Sequence, residues 1–218
     1  MIPCGREMKY KFIIVGGLET NCYLVYCEDT KACVIVDPGA ESDKIFPVIA
    51  EEELRPIAVI NTHGHVDHIG ANRDMKDKFD IPLWIHAGDK EMLVRTQSLE
   101  LSLFLGAKDS PPPDRYLVDG DEIKIGNGRL RVLHTPGHSP GGMCLYTDGM
   151  VFTGDSLFVG SVGRTDFPGS SWDVLEASIQ KKLFTLPGDT IVYPGHNYGP
   201  TPSSTIQYEK RHNPFVRG

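Results

Sequence analysis

Thr62-His63-Gly64-His65-Val66-Asp67-His68 follows on the apolar run Ile57-Ala58-Val59-Ile60 and a single asparagine, Asn61. A short buried strand here runs out into a loop that carries three histidines and an aspartate within six positions. Residues two apart at a strand end point the same way, so His63 and His65 can grip one metal ion. Asp67 and His68, which lead into a helix, can turn toward a second. Imidazole and carboxylate suit Zn, Fe or Mn, and the absence of cysteine from the motif argues against a purely structural zinc site.

Three further stretches repeat this layout of strand, small residues and a ligand-type side chain: Thr135-Pro136-Gly137-His138-Ser139-Pro140-Gly141, Phe152-Thr153-Gly154-Asp155 and Tyr193-Pro194-Gly195-His196. Pro and Gly on both sides of His138 hold the backbone so that its imidazole projects from a rigid turn. Asp155 offers two oxygens and can bridge two cations, which an imidazole does not readily do. The candidate ligands are therefore His63, His65, Asp67, His68, His138, Asp155 and His196. His86, His134 and His212 read as structural, with His134 close enough to the Thr135-Pro136 turn to support the site from outside.

Outward from the motifs, Tyr10 to Val15, Asn21 to Cys27 and Ala32 to Asp37 read as strands punctuated by Gly16-Gly17 and Glu28-Asp29-Thr30. Asp37-Pro38-Gly39 ends the third, and Ser42 is expected to cap a helix to about Glu53. Helices near 71–78 and 88–95 flank a strand at 82–85. Leu99, Leu101, Leu103 and Leu105 alternate yet also fit helical spacing, and read as a packing segment or, alternatively, a substrate lid. Past the break at Pro111-Pro112-Pro113, strands are expected at 115–118, 129–135, 143–147, 150–153 and 190–193. A long loop from Ser156 to Pro168, a helix capped by Ser170 or Ser171 and ending near Phe184, and a short helix near 204–211 complete the reading. Two sets of strands with helices after them predict an α/β chain folded as a four-layer αββα sandwich. Residues 9–218 are read as one domain and 1–8 as a tail, with Met8 as well as Met1 fitting a start.

Composition agrees with one turn-rich domain: 218 residues, 40% hydrophobic, with 23 Gly and 16 Pro. The net charge of -7 disfavours a nucleic-acid partner. No apolar run approaches a membrane span and no signal-peptide pattern opens the chain, so a cytoplasmic protein without a membrane partner is expected. Five cysteines without a Cys-x-x-Cys read as reduced core thiols.

The order HxHxDH, PGH, GD, PGH resembles the metallo-β-lactamase-fold superfamily. Gly154-Asp155-Ser156-Leu157-Phe158, Val162 through Gly169 and the closing Asn213-Pro214-Phe215 resemble its short bacterial glyoxalase II-like hydrolases, over nearly the whole chain from about Tyr10. The resemblance implies the metallo-β-lactamase fold and two divalent ions, one held by His63, His65 and His138, the other by Asp67, His68 and His196, with Asp155 bridging. It implies hydrolysis of a thioester such as S-lactoylglutathione or a related acyl thiol by a metal-bridging hydroxide. Asp67 would be a ligand, or also orient the water or shuttle its proton. Arg164, shortly after the bridging aspartate, and Tyr198, two after the last histidine, would hold an anionic glutathione moiety. Arg164 reads equally as a structural ion pair with Asp166. Full-length glyoxalase II carries a C-terminal helical domain with further glutathione contacts that the chain to Gly218 lacks, so looser glutathione specificity is expected.

Gly163-Arg164-Thr165-Asp166-Phe167 and Thr205 through Glu209 to Asn213-Pro214 are similar also to persulfide dioxygenases, which implies a single iron on His63, His138 and Asp155. Pro168-Gly169 and the segment from Pro82 to Pro113 look like the hydrolases instead. β-Lactamases usually lack counterparts of His68 and Asp155, RNA-processing relatives need a basic surface, and a lactonase stays open. The expected partner is a small anionic thioester; the motifs are compatible with a monomer or a homodimer.

Overall fold

Residues 8–94 and 108–218 are described by the structure, a computed structural model. Six strands form the first sheet in spatial order: β1 (Met8–Val15), β2 (Thr20–Cys27), β3 (Ala32–Val36), β4 (Arg55–Ile60), β5 (Leu83–His86) and β6 (Arg115–Leu117). The first three are antiparallel, and β3 through β6 run parallel. The second sheet contains β7 (Glu122–Ile125), β8 (Gly128–His134), β9 (Met143–Thr147), β10 (Met150–Gly154), β13 (Ile191–Pro194) and β14 (Ser204–Thr205), ordered β14-β13-β10-β9-β8-β7. Only β10 and β13 pair in parallel there. A small hairpin, β11 (Leu157–Phe158) with β12 (Ser161–Val162), stands apart.

The layering follows from the period-two alternation of strand side chains. Every residue of β2 is buried because both its faces are covered. Tyr23, Val25 and Cys27 face the second sheet, where they meet Leu130, Val132, Leu145, Phe152 and Tyr193. Cys22, Leu24 and Tyr26 face the other way, toward Ile45 and Ile49 of the helix Ser42–Glu51 and Met75 of the helix Asn72–Phe79. On the far side, Leu133, Cys144, Val151 and Val192 pack against Leu175, Ile179, Leu183 and Ile206 of the helical segments. The four-layer αββα sandwich expected from the sequence is this arrangement.

Several local expectations are corrected. Met8 is not tail but the first residue of β1, paired with Cys27. Ser42 does not cap its helix: Glu41 occupies the N-cap position with φ 50°, and the Ser42 hydroxyl donates to Asp74 instead, at 2.8 Å. Ser171 takes the N-cap position of the helix Trp172–Ser178 without a side-chain cap, and Ile179–Leu183 continues it as a π-helix. The stretch at 115–118 closes the first sheet rather than opening the second. The alternation Glu122-Ile123-Lys124-Ile125, with only the isoleucines buried, is a strand that the reading passed over. The supposed long loop from Ser156 to Pro168 contains the β11–β12 hairpin. Cys22, Cys27, Cys33 and Cys144 are free and buried, as expected of core thiols. Cys4 and the leucines at 99, 101, 103 and 105 lie outside the described residues.

Phe152 is fully buried between the sheets, with Tyr23 at 5.0 Å and Tyr193 at 5.4 Å between ring centroids. Phe152→Ala is expected to cost about 3–5 kcal/mol of unfolding free energy, read from denaturant melts; a loss below about 1 kcal/mol would contradict this packing.

Candidate metal centre

Each ligand-bearing loop leaves the C-terminal end of a strand, and Asp67 and His68 sit on the short helix Val66–Ile69 that follows the first of these loops. β4 delivers Thr62 to His68, β8 delivers His138, β10 delivers Asp155 and β13 delivers His196. The two sheets are stitched at this edge: the Met143 amide donates to the Thr62 carbonyl at 2.9 Å, and the Asn21 amide to the Gly195 carbonyl at 2.8 Å. Glycine is needed where the strands meet. Gly154 has φ 47°, and a Cβ there would collide with the Thr62 hydroxyl, while one at Gly195 would collide with Asp155 Oδ1.

Asp37, at the end of β3 and 2% exposed, organises the first-sheet side. Its Oδ1 accepts from the Thr62 amide at 2.7 Å, and its Oδ2 accepts from the Thr62 hydroxyl at 2.6 Å. The same Oδ2 lies 3.0 Å from His68 Nδ1. That network assigns the tautomers. His68 gives its Nδ1 proton to Asp37. The Thr62 proton is already committed, so His63 Nδ1, 3.0 Å from that hydroxyl, is the donor there. His138 Nδ1 donates to the Arg164 carbonyl at 2.8 Å and His196 Nδ1 to the Leu18 carbonyl at 3.0 Å. Four imidazoles thus turn an Nε2 lone pair inward.

The inward atoms converge. His63, His65 and His138 form one group and Asp67, His68 and His196 another, each with its ligand atoms within 4.8 Å of one another. Asp155 lies between them: Oδ1 is 3.5 Å from His68 Nε2, and Oδ2 is 3.6 Å from both His138 Nε2 and His196 Nε2. A third group, Asp37 with His63 and His68, also has ligand geometry. Its carboxylate, however, is already taken up by three donors.

These donors fit divalent cations. His63 Nε2 and Asp155 Oδ1 are buried with no hydrogen-bond partner, which a native interior seldom tolerates. His68 Nε2 faces His196 Nε2 at 3.2 Å, although both rings have spent their N–H elsewhere. Without a cation, one ring must carry a second proton. Burial disfavours that at His68, but the charges of Asp67, Asp155 and Asp37 outweigh it and raise its pKa well above the usual imidazole value. A metal ion would stand where that proton stands. Burial and the neighbouring imidazoles keep His63 well below its ordinary value and bring His65 to about 3, so both stay neutral as metal binding requires. For Asp67, burial pushes up, but His68 and His196 hold it far below the carboxylate range.

The substrate candidates sit at the rim. The Arg164 guanidinium makes a two-pronged pair with Asp166, at 3.0 and 2.7 Å, and lies 4.6 Å over the Phe167 ring. Tyr198, 62% exposed, stacks on His196 with ring centroids 4.8 Å apart and planes 3° from parallel. Partial loss of solvent around the ring, helped by the charges of Asp155 and Asp67, pushes its phenol up to about 12. The sequence reading missed Asp37, Thr62 and Phe167, whose ring lies 5.1 Å from that of His65. For Asp37 a signal existed: Asp37-Pro38-Gly39 is a carboxylate at a buried strand end, the same layout as Gly154-Asp155. His86 and His134 stack on each other at 3.9 Å, and His134 reaches the Pro140 carbonyl at 3.1 Å, bracing the His138 loop. His212 packs by Tyr208 on the last helix, away from the site.

A two-sheet sandwich with histidines and aspartates gathered at its edge defines a class of metal-dependent hydrolases, and the comparison with known proteins agrees. The chain belongs to the metallo-β-lactamase superfamily, whose family profile matches residues 15–196. It is 38% identical to the probable metallo-hydrolase YqgX of Bacillus subtilis, covering 97% of this chain and 99% of that one. It is 35% identical to the hydroxyacylglutathione hydrolase GloC of Haemophilus influenzae, covering 96% and 98%. Among solved structures, the BLEG-1 B3 metallo-β-lactamase superposes with a TM-score of 0.86 at 38% identity, covering 96% and 100%. TTHA1623 in a di-iron-bound form gives 0.84 at 36%, covering 94% and 100%, and ETHE1 from Myxococcus xanthus 0.78 at 32%, covering 95% and 84%. No helix among the described residues is long and apolar enough to cross a membrane.

The pKa shifts of His63, His65 and His68 predict a pH dependence for the metal-free chain. His63 and His65 bind protons more weakly folded than unfolded, so their contribution is fully present above about pH 6.5 and is lost as pH falls toward the folded values. His68 binds its proton more tightly when folded, so its contribution is present below about pH 6.5 and fades as pH rises toward the raised value. Stability of the chelator-treated protein should therefore peak near neutrality and decline on both sides, by up to about 1.4 kcal/mol per pH unit for each proton. Denaturant midpoints from pH 4 to 9 check this; a monotonic rise across that range would contradict the His68 assignment.

Proposed function

We propose that the chain is a dinuclear metal-dependent hydrolase of thioesters of the acylglutathione type. The observation that carries the reading is the pairing of His63, His65 and His138 with Asp67, His68 and His196 around Asp155, two ligand groups sharing one carboxylate. In this reading those seven residues hold two divalent ions, zinc or iron, and the di-iron-bound neighbour supports iron as a candidate. When bound, the ions lower the pKa of water to give a nucleophile at neutral pH and polarise the carbonyl under attack.

The remaining work falls to the protein. Asp67, which also accepts from the Thr20 hydroxyl at 3.3 Å, is held ionised and is a poor proton acceptor. Its charge and geometry favour holding an ion or orienting water over shuttling a proton. The leaving thiolate, from a thiol of pKa about 8.5, departs without a general acid, so the absence of a dedicated donor in this reading is chemically consistent. Tyr198 remains protonated across the working range and can donate to a substrate carboxylate at the rim. Arg164 can offer its fork to the same anion in exchange for Asp166, both being well exposed. The likeness to the GloC hydroxyacylglutathione hydrolase over nearly the full length supports this substrate class.

The second reading, a mononuclear iron persulfide dioxygenase using His63, His138 and Asp155, is supported by the likeness to ETHE1. One preparation separates the two. About two equivalents of metal with S-lactoylglutathione cleavage and no oxygen uptake are expected; one iron with oxygen consumption that depends on glutathione persulfide would replace the hydrolase reading. Asp155→Ala should deplete both ions and abolish turnover. Arg164→Ala should raise KM for anionic thioesters about tenfold with kcat little changed, and an unaltered KM would return Arg164 to a purely structural pairing with Asp166.

A further inference from the structure

Asp89 belongs to neither ligand group, yet it is wholly buried beside them, in the 3-10 turn Ala87–Asp89 that follows β5. Its carboxylate is shared between two loops from different sheets. Oδ2 accepts from the Gly64 amide at 3.0 Å and from the Ser139 hydroxyl at 2.7 Å, while Oδ1 accepts from the Gly141 amide at 2.5 Å. Gly64 lies between His63 and His65; Ser139 and Gly141 follow His138. The three segments touch backbone to backbone. A Cβ on Gly141 would come within 2.6 Å of the Asp89 nitrogen, and one on Gly88 within 2.8 Å of the Gly141 nitrogen.

We infer that Asp89 is a positioning residue for the ion held by His63, His65 and His138, clamping the two loops so that His65 Nδ1 and His138 Nε2 stay 2.9 Å apart. The inference rests on the two-ion reading above. A buried carboxylate is satisfied here only if all three donors point at it, so Asp89 fixes both loops at once. Asparagine at the same position keeps the shape but turns an N–H toward at least one donor, which forces the loops apart. The Asp67, His68 and His196 group is braced instead by Asp37 and the Leu18 carbonyl, while the hydrogen bonds of Asp89 among the described residues go to Gly64, Ser139 and Gly141. The effect should therefore be confined to one ion.

The test is release of Co(II) from the loaded full-length chain to a chromophoric chelator, followed together with the ligand-field absorption of the bound ions. Asp89→Asn should weaken one ion about 10- to 100-fold and leave the other within about twofold, with the loss confined to one set of absorption bands. Ser139→Ala, which removes one donor and leaves the Gly64 and Gly141 amides on Asp89, should weaken the same ion by a smaller factor. A mere packing role would lower the denaturation midpoint and loosen both ions alike, and that result overturns the inference, as does parental affinity at both. If Asp89→Asn does not fold, Ser139→Ala decides: unchanged release of both ions refutes the clamp. A parent chain that binds one ion sinks the dinuclear reading, and the clamp then stands or falls on whether that ion is weakened in Asp89→Asn.

Discussion

A single buried carboxylate, Asp37, sets the orientation on which the centre depends. It stands at the end of β3, with φ 51°, and accepts three hydrogen bonds from Thr62 and His68. Through Thr62 it also decides which nitrogen of His63 carries a proton. Burying a charge is costly unless every lone pair is used, and here each acceptance does a second job by turning an imidazole toward the cleft. Without that anchor, His63 and His68 would be free to rotate or to exchange tautomers, and the inward lone pairs would be lost.

The rest of the architecture makes such an anchor tolerable. Residues buried on both faces of β2, β3 and β4 hold the strand ends rigidly, so side chains leaving those ends inherit fixed directions. The second sheet does the same for β8, β10 and β13. Neither of the two groups that flank Asp155 is held by one sheet alone: His138 must cross to His63 and His65, and His196 to Asp67 and His68. The apolar layer between the sheets, with Tyr23, Phe152 and Tyr193 at its centre, is what keeps these half-sites in register.

Much of this was legible. The ligand-type residues declared themselves because His63, His65, His138, Asp155 and His196 sit beside glycine where an apolar run ends, with Asp67 and His68 completing the first motif, and the alternation of the strands indicated the layering. Apart from the alternating strand Glu122–Ile125 and the β11–β12 hairpin, what escaped the reading depended on distance in three dimensions. Ser42 and Ser171 have the composition of helix caps, but Ser42 is drawn to Asp74, 32 residues away, and Ser171 bonds through its backbone to the Gly137 carbonyl. Arg115 to Leu117 pairs with β5, far behind it in the chain, rather than with β7, which follows it closely, and no local pattern announces a sheet partner. Thr62 looked like part of the motif's lead-in, because its role depends on a carboxylate 25 residues earlier.

The order in which the ligands occur along the chain has a consequence for biosynthesis. His63, His65, Asp67 and His68 are made early, but the nitrogen facing His68 belongs to His196, 128 residues later. A nascent chain presenting only the first cluster offers a loose, partial chelator, open to whichever ion meets it first. The group with Asp67 and His68 is completed only after β13 has docked and brought His196 to it. The group with His63 and His65 needs only His138 from the loop after β8, so the two half-sites are completed at different points along the growing chain.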